Sequence, residues 1–193
     1  MSEPVPADEL DRFAALARRR RTSLRLDPEA PVPAELIERL CAIAAWAPSH
    51  KRTWPWRFAV LTGAARRRFG EAAAAQLVAE GIDDEARLAA TRAKYLRSST
   101  VVVVAAGAHA DPDLHAENRD AVAAAVQNFL LGATAAGLGS FWATGAPVRS
   151  AAVRRMCGFA PDDRIVAVIY LGWPTGEVET PTRPPAAVAH VRD

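Results

Sequence analysis

Thr100-Val101-Val102-Val103-Val104-Ala105-Ala106 decides the fold class of this chain. The run is dominated by β-branched residues and has no polar alternation, so it reads as a strand covered on both faces. Downstream, Asp111-Pro112-Asp113 marks a turn and a helix start. From about Leu114 to Ala136 the chain is long and alanine-rich, and Gly137 closes it, which predicts a central helix with a glycine cap. Arg164 to Leu171 repeats the buried-strand pattern. Helices alternate with few strands, so the pattern predicts an α+β fold or a three-layer sandwich.

Working outward, Leu10, Phe13, Ala14, Leu16 and Ala17 give a helical stripe from Ala7 to about Arg20. A second helix starts near Pro33 and carries Leu36, Ile37, Leu40, Ile43 and Ala44 before stopping at Pro48. Arg57 to Leu61 reads as a strand, Ala64 to about Ala79 as a helix, and Ser150 to Met156 as a short helix. Gly81 to Arg97 reads as a polar helical segment with weak apolar faces and is a candidate for mobility. Phe141 to Ala143 is expected to be short and extended, and the Pro- and Thr-rich last twenty residues form an extended tail. A chain of 193 residues suits one domain, here 10–193, behind a flexible leader over 1–9.

Bulk properties exclude several functions. The formal net charge of +2 implies no strong field for nucleic acid or membrane. The cations are arginine except for Lys51 and Lys94, and with so much alanine this pattern suggests coding bias. Cys41 and Cys157 each sit in an apolar helical stretch and read as buried free thiols, as in a reducing cytosol. No Cys/His cluster has metal-ligand spacing, and no apolar run approaches the ~20 residues of a spanning helix. The expectation is a soluble cytoplasmic protein that binds neither nucleic acid nor membrane.

Three separated stretches carry chemistry. In Arg21-Thr22-Ser23-Leu24-Arg25, alternate residues of an extended segment share a side, so two guanidiniums and a hydroxyl can clasp a phosphate. The same run equally suits a solvated basic face at a helix end. Ala47-Pro48-Ser49-His50-Lys51, followed by Pro55-Trp56-Arg57-Phe58, gathers Trp46, Trp54 and Trp56, which suit either core packing or the frame of a planar ligand. Gly137-Leu138-Gly139-Ser140-Phe141-Trp142-Ala143-Thr144-Gly145 permits tight turning and close backbone approach, or simply a helix cap with a buried tryptophan. It is no dinucleotide fingerprint, because it follows a helix instead of a strand.

In order and spacing these stretches resemble the FMN-dependent nitroreductase family, most closely its short, minimal branch, from about Leu10 to His190. The matching pattern is Arg21-x-Ser23-x-Arg25, Ala47-Pro48-Ser49, Pro55-Trp56-x-Phe58, Gln127-Asn128 within a long helix ending in Gly-Leu-Gly, Leu171-Gly172-x-Pro174, and Arg183-x-Pro185 with Val188. The resemblance implies an α/β/α sandwich around a small mixed sheet, assembled as a homodimer with FMN at the subunit interface. It implies that Arg21, Thr22, Ser23, Arg25 and Arg183 hold the FMN phosphate and ribityl oxygens. Pro48, Ser49 and His50, with Trp46 beside them, would reach the flavin of the other subunit. Trp142, Ala143, Thr144 and Gly145 would line its ring. NADH or NADPH would donate electrons, and a nitroaromatic, quinone or similar small molecule would accept them in a ping-pong cycle. A flavin-storage or redox-sensing protein with little turnover is the alternative. Many relatives place Asn-x-Gln before Pro-Trp, whereas Arg52 and Trp54 stand there in this chain, so another donor must serve the flavin pyrimidine. Lys51 and Arg52 are candidates for stabilising charge at its edge, and no side chain is named as catalytic.

Overall fold

A computed structural model describes residues 7–191. Four strands form one sheet in the order β1-β2-β4-β3, with β1 (Trp56–Thr62), β2 (Thr100–Ala106), β3 (Gly139–Ala143) and β4 (Arg164–Gly172). Every neighbouring pair is antiparallel, with Phe58 opposite Val104, Val102 opposite Ile169 and Phe141 opposite Tyr170. Parallel character enters at the outer edge of β3, where Thr22 bridges Ser140.

Every residue of β2 is buried, as its unbroken apolar run requires. Its side chains alternate between two covered faces. Val102 and Val104 face a core shared with α2 (Ala34–Ala44) and α5 (Pro112–Ala135), which contribute Ile37, Leu40, Val122, Val126 and Phe129. Val101, Val103 and Ala105 face a second core with Phe69 of α3 (Ala64–Ala79), Tyr95 and Val153 of α7 (Ala151–Met156). The result is a helix–sheet–helix sandwich. Cys41 packs against the first core and Cys157 against the second, so the sheet lies between these two half-buried free thiols.

The ends of α5 follow their local sequence. The Asp111 carboxylate accepts from Asp113 N at 2.9 Å and Leu114 N at 3.4 Å, with Pro112 in the first turn. At the other end Gly137 adopts φ 77, and Leu138 N donates to Ala133 O at 2.9 Å, which closes the helix and turns the chain into β3.

Of the leader expected over 1–9, residues 1–6 lie outside the described residues, while Ala7 to Glu9 open α1 (Ala7–Arg19). The segment 81–97, expected to be helical, forms α4 (Glu85–Ala93) and a 3-10 turn at Lys94–Leu96 packed on α3. Its apolar stripe is thin, yet Leu88 and Tyr95 are buried, and Tyr95 stands edge-on to Phe69 at 4.7 Å and stacked on Tyr170 at 5.7 Å. Three-dimensional aromatic contact supplies what the linear pattern lacks.

Candidate functional site

Residues 21–26 form an extended strap along the edge of the sheet. Ser23 N donates to Ser140 O at 2.9 Å, and Leu26 bridges Pro174 at the start of the tail. Two cavities open on this strap. One, about 370 Å³, is lined by Arg20, Arg21 and Thr22 together with tail residues Val178, Glu179, Pro181 and Arg183. The other, about 390 Å³, is lined by Leu24, by Phe141, Trp142, Ala143 and Thr144, and by Lys94, Arg97 and Tyr170.

The first cavity is electropositive. Burial, then the neighbouring Arg183 and Arg21 guanidiniums, lower the proton affinity of Arg20. Arg21 Nε is buried and has no hydrogen-bond partner. Buried polar groups are ordinarily satisfied, so an orphaned donor beside a cluster of cations suits an anion with several acceptor oxygens.

The second cavity is aromatic on one side and cationic on the other. Phe141 stacks on Tyr170 at 5.5 Å, and Tyr170 on Tyr95. Burial raises the Tyr170 phenol to about 12, with Arg97 pulling the other way, so the ring stays neutral at physiological pH. Lys94 lies 5.1 Å from the centre of the Tyr95 ring. Burial, then Arg97 and Arg87, lower its proton affinity, which marks it as a cation in want of a negative partner. The indole N–H of Trp142 donates to Val166 O at 3.3 Å, so its ring is tied to the sheet. Gly145, with φ 101, turns the chain from this wall into α6 (Ala146–Arg149), a backbone conformation that side chains resist.

The structure therefore brings Arg21, Thr22 and Arg183 to one cavity and Trp142, Ala143 and Thr144 to the other. Ser23 is buried behind the strap against Gly139, and Arg25 lies apart, beside Gly176. Alternation along the strap thus fails to gather Arg21, Ser23 and Arg25 around a single point. A bridge at Thr22 and another at Leu26 set the rotation of each residue between them.

Trp46, Pro48 and His50 are exposed past the end of α2, and Trp46 retains 88% of its accessible surface. His50 Nδ1 contacts the Glu117 carboxylate of α5. Ser49 belongs to a chain of hydrogen bonds in which its hydroxyl meets Thr53 Oγ1 at 2.9 Å, Thr53 donates to Asn118 Oδ1 at 2.6 Å, and Asn118 Nδ2 donates to Gly107 O at 2.9 Å. This network grips a strained loop. Lys51, Arg52 and Trp54 have φ of 51, 56 and 46, a region costly for residues with a Cβ. Arg57 Nη1 adds bonds to the carbonyls of Trp54 at 3.3 Å and Trp56 at 3.1 Å. Strain of this kind persists only where surrounding contacts over-determine it.

A model of the nitroreductase family matches residues 17–173. The chain belongs to the nitroreductase family. It is 32% identical over 161 residues to the Escherichia coli K12 protein named "Putative NAD(P)H nitroreductase YdjA", covering 83% of this chain and 87% of that one. Its fold is shared with a nitroreductase-like family protein from Bacillus cereus (TM-score 0.77, 24% identity, 96% of this chain and 94% of that one). It is also shared with a nitroreductase from Bacteroides fragilis whose structure was solved with bound FMN (TM-score 0.73, 17% identity, 93% and 98%).

Within this nitroreductase-family chain, sequence reasoning missed Arg20, Leu24, Lys94, Arg97, Tyr170 and Asn118. Only Lys94 left a signal. In a chain whose other cations, Lys51 apart, are arginine, a retained lysine stands out. The rest become visible once the strands are paired.

Proposed function

We propose that this protein is an FMN-dependent oxidoreductase that draws electrons from NADH or NADPH. The observation that carries the reading is the strap with two cavities, one cationic with an orphaned donor and one aromatic with a half-buried lysine. These match the phosphate end and the ring end of one mononucleotide. FMN held here would supply the redox chemistry, hydride acceptance from the nicotinamide and electron delivery to a nitroaromatic, quinone or similar acceptor in a ping-pong cycle.

The chain's own groups bind and tune. Arg21, Thr22 and Arg183 hold the phosphate, with Ser23 and Arg25 on the same strap. The Lys94 ammonium offers positive charge to the ring and stabilises negative charge that develops on reduction. It takes the part left open by Arg52 and Trp54. Trp142, Ala143, Thr144 and Gly145 would hold the ring as a wall of that cavity. Solvent supplies protons, and no side chain acts as nucleophile or general acid.

The protein works as a homodimer in this reading. Leu10, Phe13, Ile43 and Trp46 are all more than one-third exposed along α1 and the end of α2. A second copy would cover them and receive Pro48, Ser49 and His50 at its flavin, with the tail from residue 174 to 191 along the seam. Among the described residues no helix is long and apolar enough to cross a membrane, and two unpaired thiols suit a cytoplasmic location.

The test is the visible absorption spectrum of the purified protein before and after anaerobic NADH or NADPH. Flavin bands that bleach within a turnover time support the oxidoreductase. A yellow protein that neither nicotinamide bleaches points to flavin storage or redox sensing. A colourless protein that fails to take up added FMN refutes the cofactor assignment.

A further inference from the structure

Gly107-Ala108-His109-Ala110-Asp111 joins β2 to α5, and hydrogen bonds tie this turn down at four points. Gly107 N donates to Pro55 O at 2.7 Å, and Ala108 N to the Asp163 carboxylate at 3.1 Å. His109 N donates to His115 Nδ1 at 3.3 Å, and Asp111 N to His109 Nδ1 at 3.0 Å. Because Nδ1 of each imidazole accepts, the proton of the neutral ring sits on Nε2, which is left as a donor. The turn therefore carries His109 as a fixed N–H donor.

Between this turn and the loop that carries Ser49 and His50 lies a cavity of about 360 Å³, whose polar side chains are Lys51, Thr53, Arg57, His109 and Asn118. Thr53 and Asn118 are spent on each other and on Gly107 O, which leaves Lys51, Arg57 and His109 as donors. No carboxylate lines the cavity, and neither Lys51 nor Arg57 forms an ion pair among the described residues. Arg57 is held by carbonyls instead. Its Nη1 reaches Trp54 O and Trp56 O, and a Cβ at Gly107 would stand 3.0 Å from Nη2, so the glycine lets the guanidinium lie against the turn. An arginine fixed in this way is preorganised with its charge uncancelled. The Asp162 carboxylate belongs to the adjoining hollow, which shares only Ala108 and His109 with this one.

We propose that this cavity is an oxyanion subsite in which Lys51, Arg57 and His109 bind a carboxylate or phosphate group borne by a substrate of the neighbouring flavin. The proposal rests on the FMN reading above, which sets Ser49 and His50 at the flavin of the partner subunit. The Ser49 hydroxyl meets Thr53, which lines the cavity, so the subsite and the flavin contact are two sides of one loop. The anionic group meets a guanidinium fork, an ammonium and an imidazole N–H, while the rest of the molecule extends toward the flavin. Selection is by charge, because a neutral molecule of the same shape gains no charge-assisted bond. Two kinds of substrate can bear such a group: an aromatic acceptor with a carboxylate, and NADPH with the phosphate that NADH lacks. In a ping-pong cycle they occupy the site in turn.

Calorimetric titration of the oxidised, FMN-loaded protein with para-nitrobenzoate and with para-nitrobenzyl alcohol, at equal ionic strength, reads the subsite without turnover. The ratio of KM for NADPH and NADH reads it for the donor. Para-nitrobenzoate is expected to bind at least about tenfold more tightly than the alcohol, or NADPH to show a KM at least about tenfold below that of NADH, the worth of one hydrogen bond to a charged group. Lys51→Gln and Arg57→Gln are each expected to narrow that preference several-fold, and Arg57→Lys to restore part of it. A narrowed benzoate preference identifies an anionic acceptor and a narrowed NADPH preference the donor phosphate, and either supports the subsite. No charge preference in either pair, or a preference that both Lys51→Gln and Arg57→Gln leave untouched, overturns the proposal. Lys51 is exposed and outside every ion pair among the described residues, so Lys51→Gln keeps the test decisive if Arg57→Gln unsettles the loop. A protein that takes up FMN but ignores charge loses only the subsite. One that takes up no FMN loses the cofactor reading itself.

Discussion

Replacing Asn118 with alanine tests whether the hydrogen-bond chain holds the strained loop. Asn118 is only 4% exposed, and both ends of its amide are used, accepting from the Thr53 hydroxyl and donating to the carbonyl of buried Gly107. Each lost bond costs about 1 kcal/mol, and an orphaned buried carbonyl adds roughly 1–3 kcal/mol. Some of this is returned if Lys51, Arg52 and Trp54 relax out of their left-handed conformations, each of which stores about 1–3 kcal/mol. A net loss of about 2–3 kcal/mol lowers the melting temperature by roughly 4–12 °C for a domain of this size. The assay is thermal unfolding by circular dichroism on flavin-stripped and flavin-loaded protein. The loaded form should lose more, because a relaxed loop no longer presents Ser49 and His50 as a unit. Asn118→Asp adds a sign test. Burial raises a carboxyl's pKa, and only the protonated form can donate to Gly107 O. The variant should therefore be most stable at low pH and weaken as pH rises through the folded-state pKa. A shift under about 1 °C for Asn118→Ala in the stripped protein, against the several degrees that a buried bonded pair commands, refutes the reasoning.

Lys94→Met removes the ring cavity's half-buried ammonium while keeping much of its stem. It should lower the midpoint potential of bound flavin by at least about 30 mV, the equivalent of a tenfold change for a two-electron couple, as read by anaerobic dye equilibration. An unchanged potential would remove Lys94 from the site. For acid stability, Glu80 is the informative group. Arg149, through bonds of 2.7 and 2.8 Å, and then Gln76 hold its carboxyl at about 2, below its ordinary 4.5. A depressed folded-state pKa gives stability that is present above about 4.5 and lost as pH falls toward 2. The pair is exposed, so the effect is small. Wild type should exceed Glu80→Gln in stability at pH 6, and the gap should close between pH 4.5 and 2. A gap that does not change with pH would sink this account.

Local periodicity carried most of the architecture. The unbroken apolar run of Thr100–Ala106, the Asp-Pro start and glycine stop of the long helix, and the buried pattern of Arg164–Leu171 are each written in consecutive residues. The structure reproduces each of them because backbone geometry repeats every two or 3.6 residues. Family membership was legible for the same reason, since its motifs are short, ordered and tied to the ends of those elements. The packing of 81–97 was less legible, because Tyr95 is buried by Phe69 and Tyr170, partners 26 and 75 positions away.

Sequence by itself determined the sandwich, its strands and helices, and the three stretches read as candidates for a cofactor site, because those signals are local. Only tertiary structure decided how the site is assembled. Arg20 meets Arg183 because the tail folds back along the strap, and Lys94 meets Trp142 and Tyr170 because a 3-10 turn is pinned beside the edge strand. Asn118 reaches both Gly107 and Thr53 because the long helix passes under the loop that precedes β1. Charge, burial and hydrogen bonding act through space over a few ångströms, so residues far apart in the chain share a cavity only after β-pairing and core packing have fixed the distances between them.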